Sequence, residues 1–254
     1  MADDVVASLE DLVATVRREL DFEAEAVHMA RFAAFFDPSC VKIPRVVLST
    51  PTAIVMEFVE ASPFSGSANA LMELFFRQFF ELGWLHTDMH AGNIGQLADG
   101  TPVLFDFGSV MEVPADVRLG IMALMVSYLN RDVRVMVDYL LEYGLLVGGP
   151  PGPDERAMLE SFLCTVLDYV EITDVSRFAQ MMKTIPVYSA PTTTFRPEIF
   201  LIMRTFTLME GLCKSLDPGF VILRAVEPLA ASLARDPTMV RLKIEDDLRV
   251  LVKF

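Results

Sequence analysis

The chain has 254 residues, and 35 acidic against 21 basic residues give it a formal net charge of -14 at pH 7. Because a nucleic-acid partner needs a basic protein face for its phosphates, this balance excludes DNA and RNA as expected ligands. Hydrophobic residues make up 53% of the chain, yet no uninterrupted apolar run reaches the roughly 18 residues that a membrane span requires.

The first third of the chain predicts a helix followed by two strands. Residues 4–36 carry apolar side chains at three- and four-residue intervals, which predicts one long helix or two abutting helices that end before Pro38. Residues 44–48 and 53–59 are apolar and rich in β-branched side chains, and they predict two strands around a turn. Residues 62–67 read Ser-Pro-Phe-Ser-Gly-Ser and predict a flexible connector between a small first part and a larger second part.

The middle and the end of the chain predict one hairpin and many helices. A helical pattern over 71–85 leads into a polar loop. Two apolar runs, 94–97 and 103–105, then flank an Asp-Gly pair, which suits a tight hairpin turn. After Gly108 the pattern is almost entirely helical, and the predicted helices are 114–130, 132–143, 154–170, 175–183, 196–215, 221–234 and 239–250.

Seven methionines lie among these later helices. Methionine is flexible and fills irregular gaps in a core, so core filling is the first interpretation, and a face that contacts lipid is the alternative. The residues are Met122, Met125, Met136, Met181, Met182, Met203 and Met209.

The loop and the hairpin carry the residues with a recognisable chemistry. The loop at 86–93 reads His-Thr-Asp-Met-His-Ala-Gly-Asn, and an Asp-Phe-Gly triplet begins at Asp106. A transferred phosphoryl group has a loose, highly charged transition state, so the protein must position a nucleophile and hold divalent metal on the phosphate. Asp88 suits orienting or deprotonating the acceptor. Asn93 and Asp106 offer the hard oxygen ligands that Mg²⁺ prefers, and the hairpin would place them side by side.

Other interpretations of these residues stay open at this point. The His-x-Asp-x-His run at 86–90 could bind a transition metal, although that role would leave Asn93 and Asp106 unused. The simpler interpretation of His86 is that it braces the loop through hydrogen bonds. We assign no chemistry to His28 on the first helix.

With these residues in place, the chain resembles the UbiB-like (ADCK) atypical kinases, a family tied to coenzyme Q and other prenyl-lipid metabolism. Four separated matches stand in the family's order: Glu19-Leu-Asp21-Phe-Glu-Ala-Glu25, the loop at 86–93, Asp106-Phe107-Gly108, and Glu210-Gly-Leu-Cys-Lys-Ser-Leu-Asp217-Pro218. The resemblance implies a mostly helical α+β, protein-kinase-like fold. Residues 1–62 would be the remnant of a truncated N-lobe, with a long helix plus a β-hairpin, and 63–254 a large helical C-lobe with a helical C-terminal extension.

The resemblance also implies roles for the site residues, with ATP and Mg²⁺ as cofactors. Asp88 would be the catalytic aspartate, and Asn93 and Asp106 would hold magnesium and with it the nucleotide. Glu25 would form the ion pair with a lysine on the third strand of the N-lobe. The residues that would support the loop and the triplet are His86, His90, Gly92, Phe107 and Gly108.

Glu19 and Asp21 would belong to a regulatory motif that lies over the active site in this family. Without the resemblance, a solvated helix face is the simpler interpretation of both. The first 18 residues contain no lysine, and they supply neither the strand lysine nor the alanine-rich nucleotide loop of the family. We therefore expect the chain to be a fragment or a truncated relative, for which catalysis is uncertain.

Three functions are carried forward as hypotheses. The leading one is the lobe of a UbiB-like kinase or ATPase, which binds Mg-ATP and acts on prenyl-lipid metabolism near a membrane surface. The alternative is a non-catalytic pseudokinase scaffold that binds a protein partner or a lipid surface through an exposed lobe interface. The third is a small-molecule phosphotransferase, against which the motif at 19–25 and the Leu-Asp-Pro segment speak. The resemblance implies a mitochondrion or plastid in a eukaryote, or the cytoplasmic face of the membrane in a bacterium.

Overall fold

The computed structural model describes residues 21–148, 151–169 and 193–222. The helices in these ranges are α1 (Phe22–Phe35), α2 (Ala68–Phe76), α3 (Ala115–Leu129), α4 (Val133–Glu142), α5 (Pro153–Tyr169) and α6 (Pro197–Leu216), with a π-helical segment at Arg77–Leu82. The strands are β1 (Val46–Thr50), β2 (Ala53–Met56), β3 (Ser62–Pro63), β4 (Trp84–His86), β5 (Ile94–Gln96), β6 (Pro102–Leu104), β7 (Val110–Glu112), β8 (Leu146–Gly148) and β9 (Thr193–Phe195). The architecture is mixed α+β with short strands, as predicted.

The chain divides into two compact units. The first combines Met1–Gly66 with His86–Met111, and the second combines Ser67–Leu85 with Glu112–Phe254. The loop and the hairpin predicted to carry the site thus belong to the same unit as the first helix. The assignment of 1–62 and 63–254 to two kinase lobes stays a prediction.

Helix α1 of the first unit begins where Asp21 caps it. The Asp21 Oδ1 atom accepts the Ala24 N–H at 3.0 Å, which satisfies one of the free amides at the helix start. Glu25, Met29 and Phe32 lie on one buried face, at spacings of four and three residues. The helix predicted over 4–36 is confirmed over 22–35, and residues 4–20 lie outside the described residues.

The two predicted strands that follow α1 form an antiparallel pair. Leu48 lies opposite Val55 and Thr50 opposite Ala53. The first strand lies two residues later than the predicted 44–48, and the second begins at residue 53 as predicted but ends at Met56 instead of residue 59. The register shifts between Val46 and Leu48. A bulge of this kind inserts an extra residue and breaks the alternation of the two faces, and consecutive Val47 and Leu48 are accordingly both exposed.

The predicted hairpin is confirmed as strands β5 and β6. Ile94 lies opposite Leu104, and the left-handed φ of +89° at Gly100 in the turn explains the glycine there. Strand β3 pairs with the other edge of β5, with Ser62 opposite Gln96. The prediction of a flexible connector over 62–67 is therefore wrong at Ser62 and Pro63, whose main chain is held by the sheet.

In the second unit, the helix predicted over 71–85 is confirmed only in part. Helix α2 ends at Phe76, and the next six residues form the π-helical segment. Gly83 has a φ of +74°, and its N–H donates to the Gln78 carbonyl at 3.0 Å, the five-residue spacing of a π turn. This left-handed glycine ends the helix, and Trp84–His86 continues as a strand that was not predicted.

Four later helices lie close to their predicted positions. Helices α3, α4, α5 and α6 match the predictions at 114–130, 132–143, 154–170 and 196–215 within two residues at each end. The sequence analysis missed the strand pair β8–β9, in which Leu146 lies opposite Phe195. The helices predicted at 175–183 and 239–250, and nearly all of 221–234, lie outside the described residues.

The methionines of the second unit pack mainly in its core. Met122, Met136 and Met209 are buried, which confirms core filling for these three. Met125 and Met203 are half-buried, and Met181 and Met182 lie outside the described residues. None of the helices in the described ranges has both the length and the hydropathy needed to cross a bilayer.

A cluster of phenylalanines joins α6 to α2 and the π-helical segment. The Phe206 ring lies 5.1 Å from Phe75, 5.7 Å from Phe76 and 5.4 Å from Phe79, measured between ring centroids. The three partners are fully buried. Such ring pairs add about 0.5–1.5 kcal/mol each to the burial of apolar area, so Phe206 holds the start of this unit to its long helix.

We expect Phe206→Ala to lower the free energy of unfolding by about 3–5 kcal/mol, because it leaves a cavity among three rings. Phe200→Ala, in the same helix, is the matched control, since Phe200 is 51% exposed, and we expect a change below about 1 kcal/mol. Urea denaturation followed by circular dichroism measures both. Equal losses in the two variants would contradict the assigned core.

Candidate functional site

The loop at 86–93 folds on itself through hydrogen bonds among its own residues. The Asn93 side chain donates from Nδ2 to the Asp88 carbonyl at 3.2 Å, and the Asn93 N–H donates to the His90 carbonyl at 2.9 Å. Asn93 is buried, whereas the Asp88 side chain is 45% exposed. The amide therefore fixes the loop from inside while the Asp88 carboxylate stays accessible.

His86 braces this loop, as the simpler interpretation predicted. It is fully buried, its Nδ1 accepts the Asp88 N–H at 3.3 Å, and its Nε2 lies 3.5 Å from the Phe105 carbonyl. A neutral imidazole with its proton on Nε2 satisfies both contacts. Burial lowers the pKa of His86, and hydrogen bonds to the Phe105 and Asp106 backbone oppose that shift. The result is a neutral histidine that links the loop to the end of the hairpin.

His90 and Gly92 shape the outer side of the loop. The His90 Nδ1 accepts the Gly92 N–H at 3.0 Å, and its Nε2 lies 3.7 Å from the Asp88 Oδ2 atom. A Cβ atom on Gly92 would come within 2.9 Å of the His90 ring. A larger residue at this position would displace the exposed His90 imidazole, so Gly92 lets this ring pack directly on the loop backbone.

The hairpin brings Asn93 and the Asp-Phe-Gly triplet together. Beyond the last strand pair, the Phe105 N–H donates to the Asn93 carbonyl at 2.9 Å, so Asp106 follows directly after a residue bonded to Asn93. Asp106 is exposed, and its Oδ1 accepts the Gly108 N–H at 3.1 Å. Its φ is +54°, a conformation that strains a residue with a side chain and is common at functional sites.

Helix α1 holds both backbone polar groups of Phe107. The Glu25 Oε1 atom accepts the Phe107 N–H at 3.0 Å, and the His28 Nδ1 atom donates to the Phe107 carbonyl at 3.0 Å. The Phe107 ring packs edge-on against Phe32 and lies 5.3 Å from the His86 ring. His28, which was assigned no chemistry, thus contacts the triplet, and its three-residue spacing from Glu25 was the feature that could have indicated it.

Glu25 is a buried carboxylate in this arrangement. Burial raises its pKa, the hydrogen bond from Phe107 lowers it, and the nearby charge of Asp106 raises it. Its predicted ion pair with a strand lysine is a role that stays a prediction. Of the two motif residues before it, Asp21 caps α1 and Glu19 lies outside the described residues, so their regulatory role also stays a prediction.

The donor atoms present fit a magnesium ion that is shared with phosphate groups. The Asn93 Nδ2 atom donates a hydrogen bond to the Asp88 carbonyl, so the Oδ1 atom of Asn93 can act as a metal ligand. Asp106 adds an exposed carboxylate. Mg²⁺ in nucleotide sites takes one or two protein oxygens and completes its shell with water and phosphate. Within the described ranges, no three side chains of His, Cys, Asp or Glu gather as a metal site.

Comparison with known proteins supplies the family. The model of the ABC1 atypical kinase-like domain matches residues 2–140, which is more than half of the chain. The chain belongs to the ABC1 atypical kinase-like family. This confirms the resemblance to the UbiB-like kinases that the motifs predicted, and it places the loop, the hairpin and the triplet within the matched domain.

Individual relatives in this family are distant in sequence. The Arabidopsis thaliana protein ACTIVITY OF BC1 COMPLEX KINASE 3, chloroplastic, is 26% identical over 92% of this chain and 35% of its own length. The uncharacterized protein sll0005 of Synechocystis sp. is 24% identical over 90% of this chain and 36% of its own length. The chain thus spans about a third of the length of these relatives.

A solved structure shows the same fold. The Mycobacterium tuberculosis protein Rv3197, solved in complex with erythromycin, superposes with a TM-score of 0.61 at 22% identity, and the match covers 87% of this chain and 61% of that chain. Together with the family match, this confirms a mixed α+β, kinase-like fold. The truncated N-lobe and the large helical C-lobe stay predictions.

Two contacts at the site were missed by the sequence analysis. The Thr87 and Ser109 hydroxyls lie 2.7 Å apart, and Thr87 also bonds the Ser109 carbonyl. Each residue adjoins a predicted motif, since Thr87 precedes Asp88 and Ser109 follows Gly108. Adjacency was the available indication, but a hydroxyl in a loop does not by itself predict its partner.

The buried Glu25 gives a pH dependence that can be measured. The pKa of Glu25 is raised above its ordinary value of 4.5 in the folded chain. Between pH 4.5 and the folded-state pKa, the folded chain therefore binds more protons than the unfolded chain, and the free energy of unfolding falls as the pH rises through this window. Glu25→Gln keeps an oxygen for the Phe107 N–H and cannot ionise. We therefore expect the stability of Glu25→Gln relative to the unsubstituted chain to increase with pH through this window and then level off.

Thermal unfolding between pH 4 and 8 measures this difference. Glu23 is exposed two residues earlier on the same helix, so Glu23→Gln is the matched control. An increase of the same size in both variants would contradict the assignment to the buried carboxylate.

Proposed function

We propose that this chain contributes the catalytic loop and the metal-binding triplet of an ABC1 atypical kinase, and that it binds Mg-ATP for phosphoryl transfer. The observation that carries the proposal is the hairpin bond from Phe105 to Asn93, which brings Asn93 beside Asp106 while the Asn93 amide holds Asp88. One carboxylate and one amide oxygen as ligands, with a second, accessible carboxylate nearby, form a set suited to a metal-bound phosphate.

The roles follow from accessibility and bonding. Asp88 orients the attacking hydroxyl or water and takes its proton, because its carboxylate is accessible and its backbone is held by His86 and Asn93. The Asn93 Oδ1 atom and the Asp106 carboxylate hold the metal. The magnesium ion would neutralise charge on the transferred phosphate. Glu25 and His28 keep the Asp106 carboxylate in place by holding the backbone N–H and carbonyl of the next residue, Phe107.

The substrate class and the setting are proposed from the relatives. Arabidopsis relatives carry a chloroplast designation in their names, and one relative is cyanobacterial, which favours a plastid or a related photosynthetic setting. Family resemblance favours prenyl-lipid metabolism, in which the phosphoryl acceptor would be water, a lipid-linked hydroxyl or a protein side chain. Targeted lipid analysis after disruption of the gene would show altered prenylquinone levels, and unchanged levels would remove this part of the proposal.

We expect Mg-ATP to raise the melting temperature of the 254-residue chain and Asp106→Asn to abolish that rise. A ligand at about ten times its Kd stabilises by about 1.4 kcal/mol, which corresponds to a rise of about 3–6 °C in Tm for a domain of this size. Asp99→Asn is the matched control, because Asp99 lies in the turn of the same hairpin and asparagine can still accept the Thr101 N–H. No rise with the unsubstituted chain, or equal rises in both variants, would end the proposed role of Asp106.

We expect Asp88→Asn to reduce turnover far more than nucleotide binding. General base catalysis contributes about 10²–10⁴-fold, so phosphate release from Mg-ATP should fall by that factor while the Mg-ATP-dependent rise in Tm persists. Nucleotide binding by the unsubstituted chain without any turnover would instead favour the non-catalytic scaffold. Turnover that is unchanged in Asp88→Asn would remove this residue from the mechanism.

A further inference from the structure

Thr87 and Ser109 form a contact that links the catalytic loop to the segment after the triplet. The Thr87 N–H donates to the Ser109 carbonyl at 2.9 Å, and the Thr87 Oγ1 atom donates to the same carbonyl at 3.1 Å. The two hydroxyl oxygens lie 2.7 Å apart. All three contacts thus join one residue of the loop, Thr87, to one residue of the segment after the triplet, Ser109.

The Thr87 hydroxyl makes both side-chain contacts of this pair. Its proton can be donated to the Ser109 carbonyl or to the Ser109 hydroxyl, and the lone pairs of its oxygen can accept the Ser109 proton. Thr87 is 3% exposed, so water does not readily reach its hydroxyl, and an unmatched polar group there is destabilising. Ser109 is exposed, so its hydroxyl turns to water when the Thr87 hydroxyl is absent, and the link between the segments is lost. The Thr87 hydroxyl is the centre of the link.

The two linked segments hold the reactive residues. Thr87 is joined by one peptide bond to Asp88, and Ser109 lies three residues after Asp106, whose φ of +54° is strained. A strained residue persists only where its surroundings fix the backbone on both sides. Glu25 and His28 hold the backbone N–H and carbonyl of Phe107, and Thr87 holds the following turn at Ser109.

We propose that the Thr87 hydroxyl is a positioning group that sets the Asp88 carboxylate relative to the metal-binding Asp106. The inference rests on the proposed function and adds to it a named residue that touches neither substrate nor metal. Its effect is on geometry: without the hydroxyl, the main-chain bond from Thr87 remains, but the Ser109 side chain loses its partner and the turn after Asp106 can shift. Groups that orient catalytic ligands in this way typically change activity by about 10–100-fold when removed.

The first test compares four variants of the 254-residue chain in Mg-ATP hydrolysis, measured as phosphate release. Thr87→Val removes only the hydroxyl from a side chain of similar shape, and we expect kcat to fall by about tenfold or more, with KM changed by less than threefold. Thr87→Ser keeps the hydroxyl, and its kcat should stay close to that of the unsubstituted chain. Thr52→Val is the matched control at an exposed position of the same unit. The double variant Thr87→Val/Ser109→Ala should be no worse than Thr87→Val alone, because both changes remove one interaction.

Hydrogen–deuterium exchange provides a second test that needs no turnover. We expect Thr87→Val to speed amide exchange in the peptide that covers 106–109, and Ser109→Ala to speed exchange in the peptide that covers 86–93. Faster exchange that is confined to the substituted segment in each variant would overturn the proposal. In the hydrolysis test, a Thr87→Val chain whose kcat stays within twofold of the unsubstituted chain would also overturn it. If the unsubstituted chain neither binds nor hydrolyses Mg-ATP, the proposed function fails, and reciprocal exchange then decides the positioning role by itself.

Discussion

The antiparallel pairing of β5 with β6 is the constraint on which the site depends. The pair is only three residues long on each side, but the bond from the Phe105 N–H to the Asn93 carbonyl extends it to the point where the two predicted metal ligands sit. Its edges are covered on both sides, by Ser62–Pro63 against β5 and by the main chain of Lys42 against β6. A short hairpin is marginal alone and needs such neighbours for stability. The register of one small sheet therefore fixes the positions of the two residues that we propose as metal ligands.

Around that sheet, the triplet is held in a conformation that its own residues do not favour. Asp106 has a left-handed φ, and the strain is balanced by bonds to the residues that follow it. Helix α1 supplies a carboxylate to the Phe107 N–H and an imidazole to the Phe107 carbonyl, and the loop at 86–93 supplies Thr87 to the Ser109 carbonyl. The buried Glu25 is costly to desolvate, which its raised pKa reflects. The arrangement exchanges some stability for a fixed position of the Asp106 carboxylate.

The sequence predicted those elements and residues that depend on nearby residues, such as turn residues, apolar periodicity and motif spacing. The Asp-Gly turn predicted the hairpin, and periodic apolar residues predicted α3 to α6. Four separated motif matches indicated the family that the domain match confirms. The sequence analysis failed where tertiary contacts decide. Nothing local in Ser62–Pro63 predicts a strand, since that segment is ordered by pairing with β5, and the helix predicted to Leu85 ends early because of the left-handed Gly83. The partners of His28 and Thr87 lie 79 and 22 residues away, beyond any pattern that periodicity can detect.

The most direct test of the central claim is to locate the metal–nucleotide complex on the chain. Mn²⁺ can replace Mg²⁺ and broadens NMR signals of nearby nuclei, so it can be titrated with ADP into the isotopically labelled protein. The account predicts that the amides of Asn93, Asp106 and Gly108 and the side-chain amide of Asn93 are the first to broaden in the first unit. Broadening that begins elsewhere in that unit, or leaves Asn93 and Asp106 sharp, would contradict the convergence of these residues on one metal–nucleotide site.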